Sequence, residues 1–323
     1  MKKLAIAILA LFICSAINAD ELDVKLEKVL YPSVRVLNGY GGGSGTVVYS
    51  EDREGDGTFE TFVMTNHHVI DSLLRVEKRW DNLTQKYINV ENNGQADVEI
   101  FSYVNGGHTI TESTVKADIV AYVADEDIAL LRLVHPFKIE AVAKVLPSDK
   151  QLRLFQEIYA VGCPLLVDPM FTKGEITDLS YTIEGKDYVG GTADIIWGNS
   201  GGAVMAFVDG EWYFCGIPSR GRGAPNGQFV THLGYYVSPA RLTNFIRSQK
   251  LDFLLDASIT PAQSFEARAA LARGEKTKKD TTGDSATPDA VNDTDDAGAS
   301  ISEFWKYLDP KNVLNEVKEQ LIK

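Results

Sequence analysis

Apolar residues along this chain fall in short runs, alternating or continuous, and Gly, Asp, Asn and Pro break them up. That is the period of strands and not of long amphipathic helices. Ser33-Val34-Arg35-Val36-Leu37 alternates cleanly, whereas Ile128-Ala129-Leu130-Leu131-Arg132-Leu133 is almost continuously apolar, as in a strand covered on both faces. Further strands are expected over residues 46–49, 59–65, 87–90, 98–101, 157–161, 171–180, 188–196, 203–208, 211–217 and 233–237. Asp209-Gly210 between two of these runs is a tight hairpin turn. Residues 75–122 are polar and predict extended hairpins or loops.

Helical spacing is confined to the ends. Residues 23–30 carry Val24, Leu26, Val29 and Leu30 and stop at Pro32. Ser238-Pro239 is an N-cap with proline at the first helical position, opening a helix to about residue 249. An Ala-rich stretch over 261–273 ends at Gly274, giving a helical segment within 256–274. Residues 275–300 have almost nothing to bury and are expected to be a disordered linker. Within 301–323, Ile301, Phe304, Trp305 and Leu308, then Val313, Leu314, Val317 and Leu321, mark amphipathic helices.

With 323 residues, 44% of them hydrophobic, the chain can bury a sizeable core. Its net charge of −13 argues against a nucleic-acid partner, which needs a basic face. Met1-Lys2-Lys3, an apolar run to Cys14 and the small residues up to Ala19 predict a signal peptide over 1–19. The protein is therefore expected to be exported, periplasmic or secreted, with no stable membrane anchor. Cleavage would leave Cys163 and Cys215, each in an apolar stretch, and two buried free thiols are expected. The acidic turn from Glu51 to Gly57 lacks a closing glutamate, since Val63 stands there, so it is expected to be a hairpin turn and not a calcium site. The glycines of 39–45 precede no phosphate-binding helix and are expected to form a flexible loop. No metal or cofactor is called for.

The candidate chemistry lies in three pieces taken in order. Thr65-Asn66-His67-His68-Val69 comes first, Asp127 at the mouth of the apolar run second, and Trp197-Gly198-Asn199-Ser200-Gly201-Gly202 third. A serine hydroxyl becomes a nucleophile when a histidine takes its proton, and the histidine needs a carboxylate to fix its tautomer. The flanking glycines let the amides of Gly198 and Ser200 converge on one point as an oxyanion hole. His, Asp, Ser is the chain order of the chymotrypsin-type double barrel.

These residues resemble the trypsin-like serine proteases, and among them the bacterial HtrA/Deg-type branch. Ser44-Gly45-Thr46-Val47-Val48 is similar to that branch's "GSG" strand and Met64 to Ile70 to its "LTNNHVV". Asp127 to Leu133 resembles "DLAVLKI", Val161 to Pro164 "IGNP", Gly174 to Thr177 "GIVS" and Gly198 to Gly202 "GNSGG". The match runs from about Val29 to about Ile246. It implies an all-β protein of two six-stranded antiparallel barrels over residues 20–255, followed by a C-terminal helix and a partly helical tail on a linker. It implies a serine endopeptidase acting on protein or peptide substrates through an acyl-enzyme, with His68, Asp127 and Ser200 catalytic.

The same frame puts His68, not His67, in the base position. Ser219-Arg220-Gly221 resembles the segment along which a peptide lies as an added strand, with Gly221 and Gly234 lining the primary pocket. Asp194, six positions before Ser200, stands where the pocket floor is expected and would favour Lys or Arg. Thr192-Ala193-Asp194 is also similar to a shifted form of the branch's "TDAAIN" segment, which goes with small aliphatic residues. Asn199 has no charge to pair with a new N-terminus, so no activation cut is expected. No PDZ-like pattern follows the protease region. The tail at 301–323 is a candidate for self-association or partner docking, and a protease-like chaperone or binding module acting through it is the alternative function.

Overall fold

The computed structural model describes residues 21–272, apart from 53–54, 83–84, 105 and 224–227. Its strands are β1 (Ser33–Leu37), β2 (Gly42–Glu51), β3 (Glu60–Thr65), β4 (Val76–Asp81), β5 (Lys86–Glu91), β6 (Ala96–Val104) and β7 (His108–Val123), then β8 (Ile128–Leu133), β9 (Glu157–Gly162), β10 (Met170–Ile183), β11 (Lys186–Gly191), β12 (Ala203–Val208), β13 (Glu211–Gly223) and β14 (Phe229–Val237). They close into two six-stranded barrels, ordered β1-β2-β3-β8-β7-β6 and β10-β11-β14-β13-β12-β9. Every pairing between neighbouring strands of both barrels is antiparallel. The expected all-β double barrel is the fold observed.

Alternation decides which side chains enter each barrel. Val34 and Val36 of β1 point inward with Val47, Val63, Val98 and Leu131. In β8 the even residues Ile128 and Leu130 are buried as well, in the same apolar cluster as Phe62 and Met64 and the second barrel's Phe214 and Ile217. The continuously apolar run thus marks a strand covered on both faces. Ser238 caps the helix α2 (Pro239–Ser248) by accepting the Arg241 amide at 3.3 Å. That helix buries Leu242, Phe245 and Ile246 in the cluster joining the two barrels. A following helix, α3 (Pro261–Ala272), lays Phe265 against Phe62 and Phe253.

Several expectations need correction. Residues 42–45 are strand, not loop. A side chain on Gly43 would come within 2.7 Å of both the Ser200 carbonyl and Val69, and one on Gly45 within 2.6 Å of Val63, so glycine serves close packing there. The polar stretch 75–122 does form extended hairpins, as expected: β4 pairs with β5 in a separate two-stranded sheet, and β6 pairs with the longest strand, β7, whose first half is exposed. The strand expected over 188–196 stops at Gly191. Asp209 (φ +48°) and Gly210 (φ +90°) form the expected two-residue hairpin turn. In the turn after β2, the Asp52 carboxylate accepts the amides of Gly55 and Gly57 at 2.7 and 2.9 Å, and among the described residues no cluster could hold a metal ion. Among the described residues no helix is long and apolar enough to cross a membrane. The signal-peptide, linker and tail assignments (1–19, 275–300 and 301–323) lie outside the described residues.

Candidate active site

Histidine and aspartate meet where strand ends from the first barrel face the second. Strand β3 ends at Thr65, Asn66 turns the chain, and the one-turn helix α1 (His67–Ile70) presents His68. The carboxylate comes from the turn before β8, where Asp127 sits at φ +54°. For a non-glycine residue that conformation costs on the order of 1–3 kcal/mol and is found mostly at functional sites. It is held there by Asn66, whose buried side-chain amide donates to the Asp127 carbonyl at 2.7 Å.

The Asp127 carboxylate is almost fully enclosed. His68 Nδ1 lies 2.9 and 3.0 Å from its two oxygens, the His68 amide donates at 3.1 Å, and the Ser219 hydroxyl donates at 2.7 Å. Burial pushes the Asp127 pKa up, but these hydrogen bonds and the attraction of the imidazole outweigh it and hold the carboxyl below its ordinary value. An ionised Asp127 therefore fixes Nδ1 of His68 as the protonated nitrogen and makes Nε2 the nitrogen that carries the lone pair. His67 is half-buried, 5.5 Å from the Tyr122 ring, and burial lowers its pKa despite Asp127 and Asp71 nearby.

The serine lies on a turn locked to both barrels. A side chain on Gly201 would approach the Ser44 carbonyl and Thr65 Oγ to 2.2 Å, so Ser200-Gly201 abuts the segment that leads into His68. The Trp197 carbonyl accepts from the Leu165 amide at 2.6 Å and the Asn199 carbonyl from Gly202 at 3.0 Å. A trans peptide points its C=O and N–H in opposite directions. The amides of Gly198 and Ser200 therefore turn away from those partners, and among the described residues neither has a protein acceptor. Gly198 has φ +94°, and a Cβ there would lie 2.4 Å from the Cys163 carbonyl and 2.6 Å from the Leu165 amide. Asn199 is buried, and its Oδ1 accepts the Ile196 amide at 3.0 Å.

The pocket residues are arranged differently from expectation. Asp194 is exposed, and its carboxylate accepts the Thr231 hydroxyl at 3.0 Å, so it does not form a dry pocket floor. Gly221 pairs with Gly234 across β13 and β14. However, the Phe229 ring fills the space over Gly221, where a Cβ would meet it at 2.0 Å. Phe229 in turn leans on Trp197, with ring centroids 5.2 Å apart. Tyr236 stands beside Gly234 and donates its hydroxyl to the Ala193 carbonyl at 3.0 Å. Ser219, expected only in the peptide-binding segment, also uses its side chain on Asp127, while Arg220 has its Nε buried without a partner among the described residues. Sequence reasoning missed Trp197 and Phe229 as pocket neighbours, and Asn66 and Ser44 as supports. The pocket pair carries no local pattern, whereas the supports stand inside recognisable motifs. Cys163 and Cys215 are buried free thiols, and burial pushes both up to about 12.

Two antiparallel β-barrels with a histidine–aspartate pair between them, beside a glycine-rich serine turn, define a chymotrypsin-like protein. The chain belongs to the trypsin-like peptidase domain family, whose model matches residues 43–217. No curated protein gives a significant match. Among solved structures, the chain is similar to the HtrA-type protease AlgW with a tripeptide (18% identity over 72% of this chain and 63% of that one, TM-score 0.49). It is also similar to the MamO protease domain from Magnetospirillum magneticum (16%, 67% and 96%, TM-score 0.46) and to Deg5 (19%, 70% and 92%, TM-score 0.47). The chain thus spans less than two thirds of AlgW's length, 63%.

Proposed function

We propose that the protein is an exported serine endopeptidase that cleaves proteins or peptides through an acyl-enzyme, with residues 20–255 as its peptidase domain. The observation that carries this is the enclosed, ionised Asp127 carboxylate orienting His68, facing the segment against which Ser200 is packed. Ser200 Oγ attacks the scissile carbonyl while His68 Nε2 takes its proton. The oxyanion is held by the two amides left without protein acceptors, those of Gly198 and Ser200. Collapse expels the amine, which takes the proton from His68. Water, deprotonated by the same imidazole, then releases the acyl group from Ser200. Asn199, engaged with the Ile196 amide, supports a site that needs no new N-terminus.

For the residue before the cut bond, two observations favour a small aliphatic side chain over a basic one. The Asp194 carboxylate is exposed and engaged by Thr231, and Phe229 narrows the space over Gly221. The test is hydrolysis of an unfolded protein and of matched peptides ending in Arg, Val or Ala. Cleavage by the wild type that is lost in Ser200→Ala and His68→Ala supports the endopeptidase. Equal binding without cleavage in all three would instead favour a binding module or chaperone acting through the tail.

A further inference from the structure

We propose that Ser44 is a positioning residue that holds the oxyanion turn in its working conformation from across the barrel interface. The inference rests on Ser200 being the nucleophile. Ser44 lies in β2 of the first barrel, fully buried, and touches the turn at both ends. Its amide donates to the Ser200 carbonyl at 2.7 Å, and its hydroxyl donates to the Gly198 carbonyl at 2.5 Å. The same hydroxyl accepts the Cys163 amide at 2.7 Å, and the Ser44 carbonyl accepts from Thr65 Oγ at 2.7 Å. One residue thus links the strand leading to His68, the turn bearing Ser200 and the loop that begins at Cys163.

The geometry explains why a hydroxyl is used. The Gly198 carbonyl belongs to the peptide between the two that carry the oxyanion amides. If it rotates, the backbone angles on either side change and the two amides no longer converge. The carbonyl needs a donor and the neighbouring Cys163 amide needs an acceptor, and a hydroxyl supplies both with one atom. There is no room for a larger linker, since a Cβ on Gly162 would already approach the Ser44 oxygen to 2.6 Å.

Ser44→Ala removes both hydrogen bonds while leaving the backbone bonds in place. Deleting an oxyanion donor outright costs about 10²–10³ in kcat, so a loosened turn should cost about 10- to 100-fold, with KM within about twofold. A peptide boronate, which mimics the tetrahedral state, should lose affinity by a similar factor. Ser50→Ala is the matched control. Ser50 is also buried in β2, and its hydroxyl bonds Thr61 Oγ at 2.8 Å and the Ile139 amide at 2.9 Å, away from the turn. It should lower Tm comparably without changing kcat. Ser44→Gly, which removes the hydroxyl without adding bulk, should lose kcat as Ser44→Ala does, and it serves as the test if the alanine variant does not fold. A Ser44→Ala enzyme with wild-type kcat and boronate affinity would overturn the proposal, as would a Ser44→Gly enzyme indistinguishable from wild type. A wild type that neither hydrolyses peptide nor binds boronate would refute the serine-peptidase function itself.

Discussion

Gly198 and Gly210 share a backbone conformation, φ +94° and +90°, but not their surroundings. At Gly210 an added Cβ meets nothing within 4 Å, while at Gly198 it meets the Cys163 carbonyl at 2.4 Å and the Leu165 amide at 2.6 Å. Alanine at either position is strained by about 1–3 kcal/mol in the left-handed region. Gly210→Ala should show that loss alone. Gly198→Ala should lose about 1–3 kcal/mol more, because the obstructing atoms are backbone and cannot swing aside. Relief of the clash must also move the Gly198 amide, so kcat should fall by about 10²–10³. Urea denaturation gives the stabilities and peptide hydrolysis the rates, both against wild type. Equal stability losses for the two variants, or a Gly198→Ala enzyme with undiminished kcat, would refute the packing and the role given to this turn.

Ser219→Ala removes one of the hydrogen bonds that hold the Asp127 pKa below its ordinary value. A carboxyl lowered by folding adds stability that is complete above its unfolded pKa and lost as pH falls through its folded pKa. The variant should therefore unfold at a higher pH in acid titrations, and an unshifted midpoint would contradict the assignment. Cys163 and Cys215, buried with pKa values of about 12, should resist a thiol reagent at pH 8 until urea unfolds the chain. Rapid labelling of the native protein would count against that burial. A form extended at its N-terminus should hydrolyse peptide as fast as the trimmed protein, because Asn199 is already satisfied by Ile196. A gain of activity on trimming would show that a new terminus is needed.

Strands whose side chains alternate or stay apolar were legible from sequence, as β1, β8 and β12 show, because burial fixes their period. The first half of β7 was hidden because it is exposed on both faces and leaves no apolar trace. Gly42, Gly43 and Gly45 looked like part of a loop, yet the missing side chains at Gly43 and Gly45 reflect the Ser200 carbonyl and Val63 pressing on the strand. Spacing is silent on such approaches from distant segments. At the site, the chemistry-bearing residues stood in motifs, and the structure brings His68, Asp127 and Ser219 into contact. The pocket was less legible, since Asp194 points to Thr231 and Phe229 reaches Gly221 from a neighbouring strand.

The central claim is that Ser200 is an activated nucleophile. Treatment of the full chain with a fluorophosphonate, followed by peptide mapping, tests it most directly. The account predicts a single adduct on Ser200 that forms in wild type, slows strongly in His68→Ala and Asp127→Asn, and disappears in Ser200→Ala. An unlabelled Ser200 in folded wild-type protein, or labelling that does not depend on His68, would contradict it.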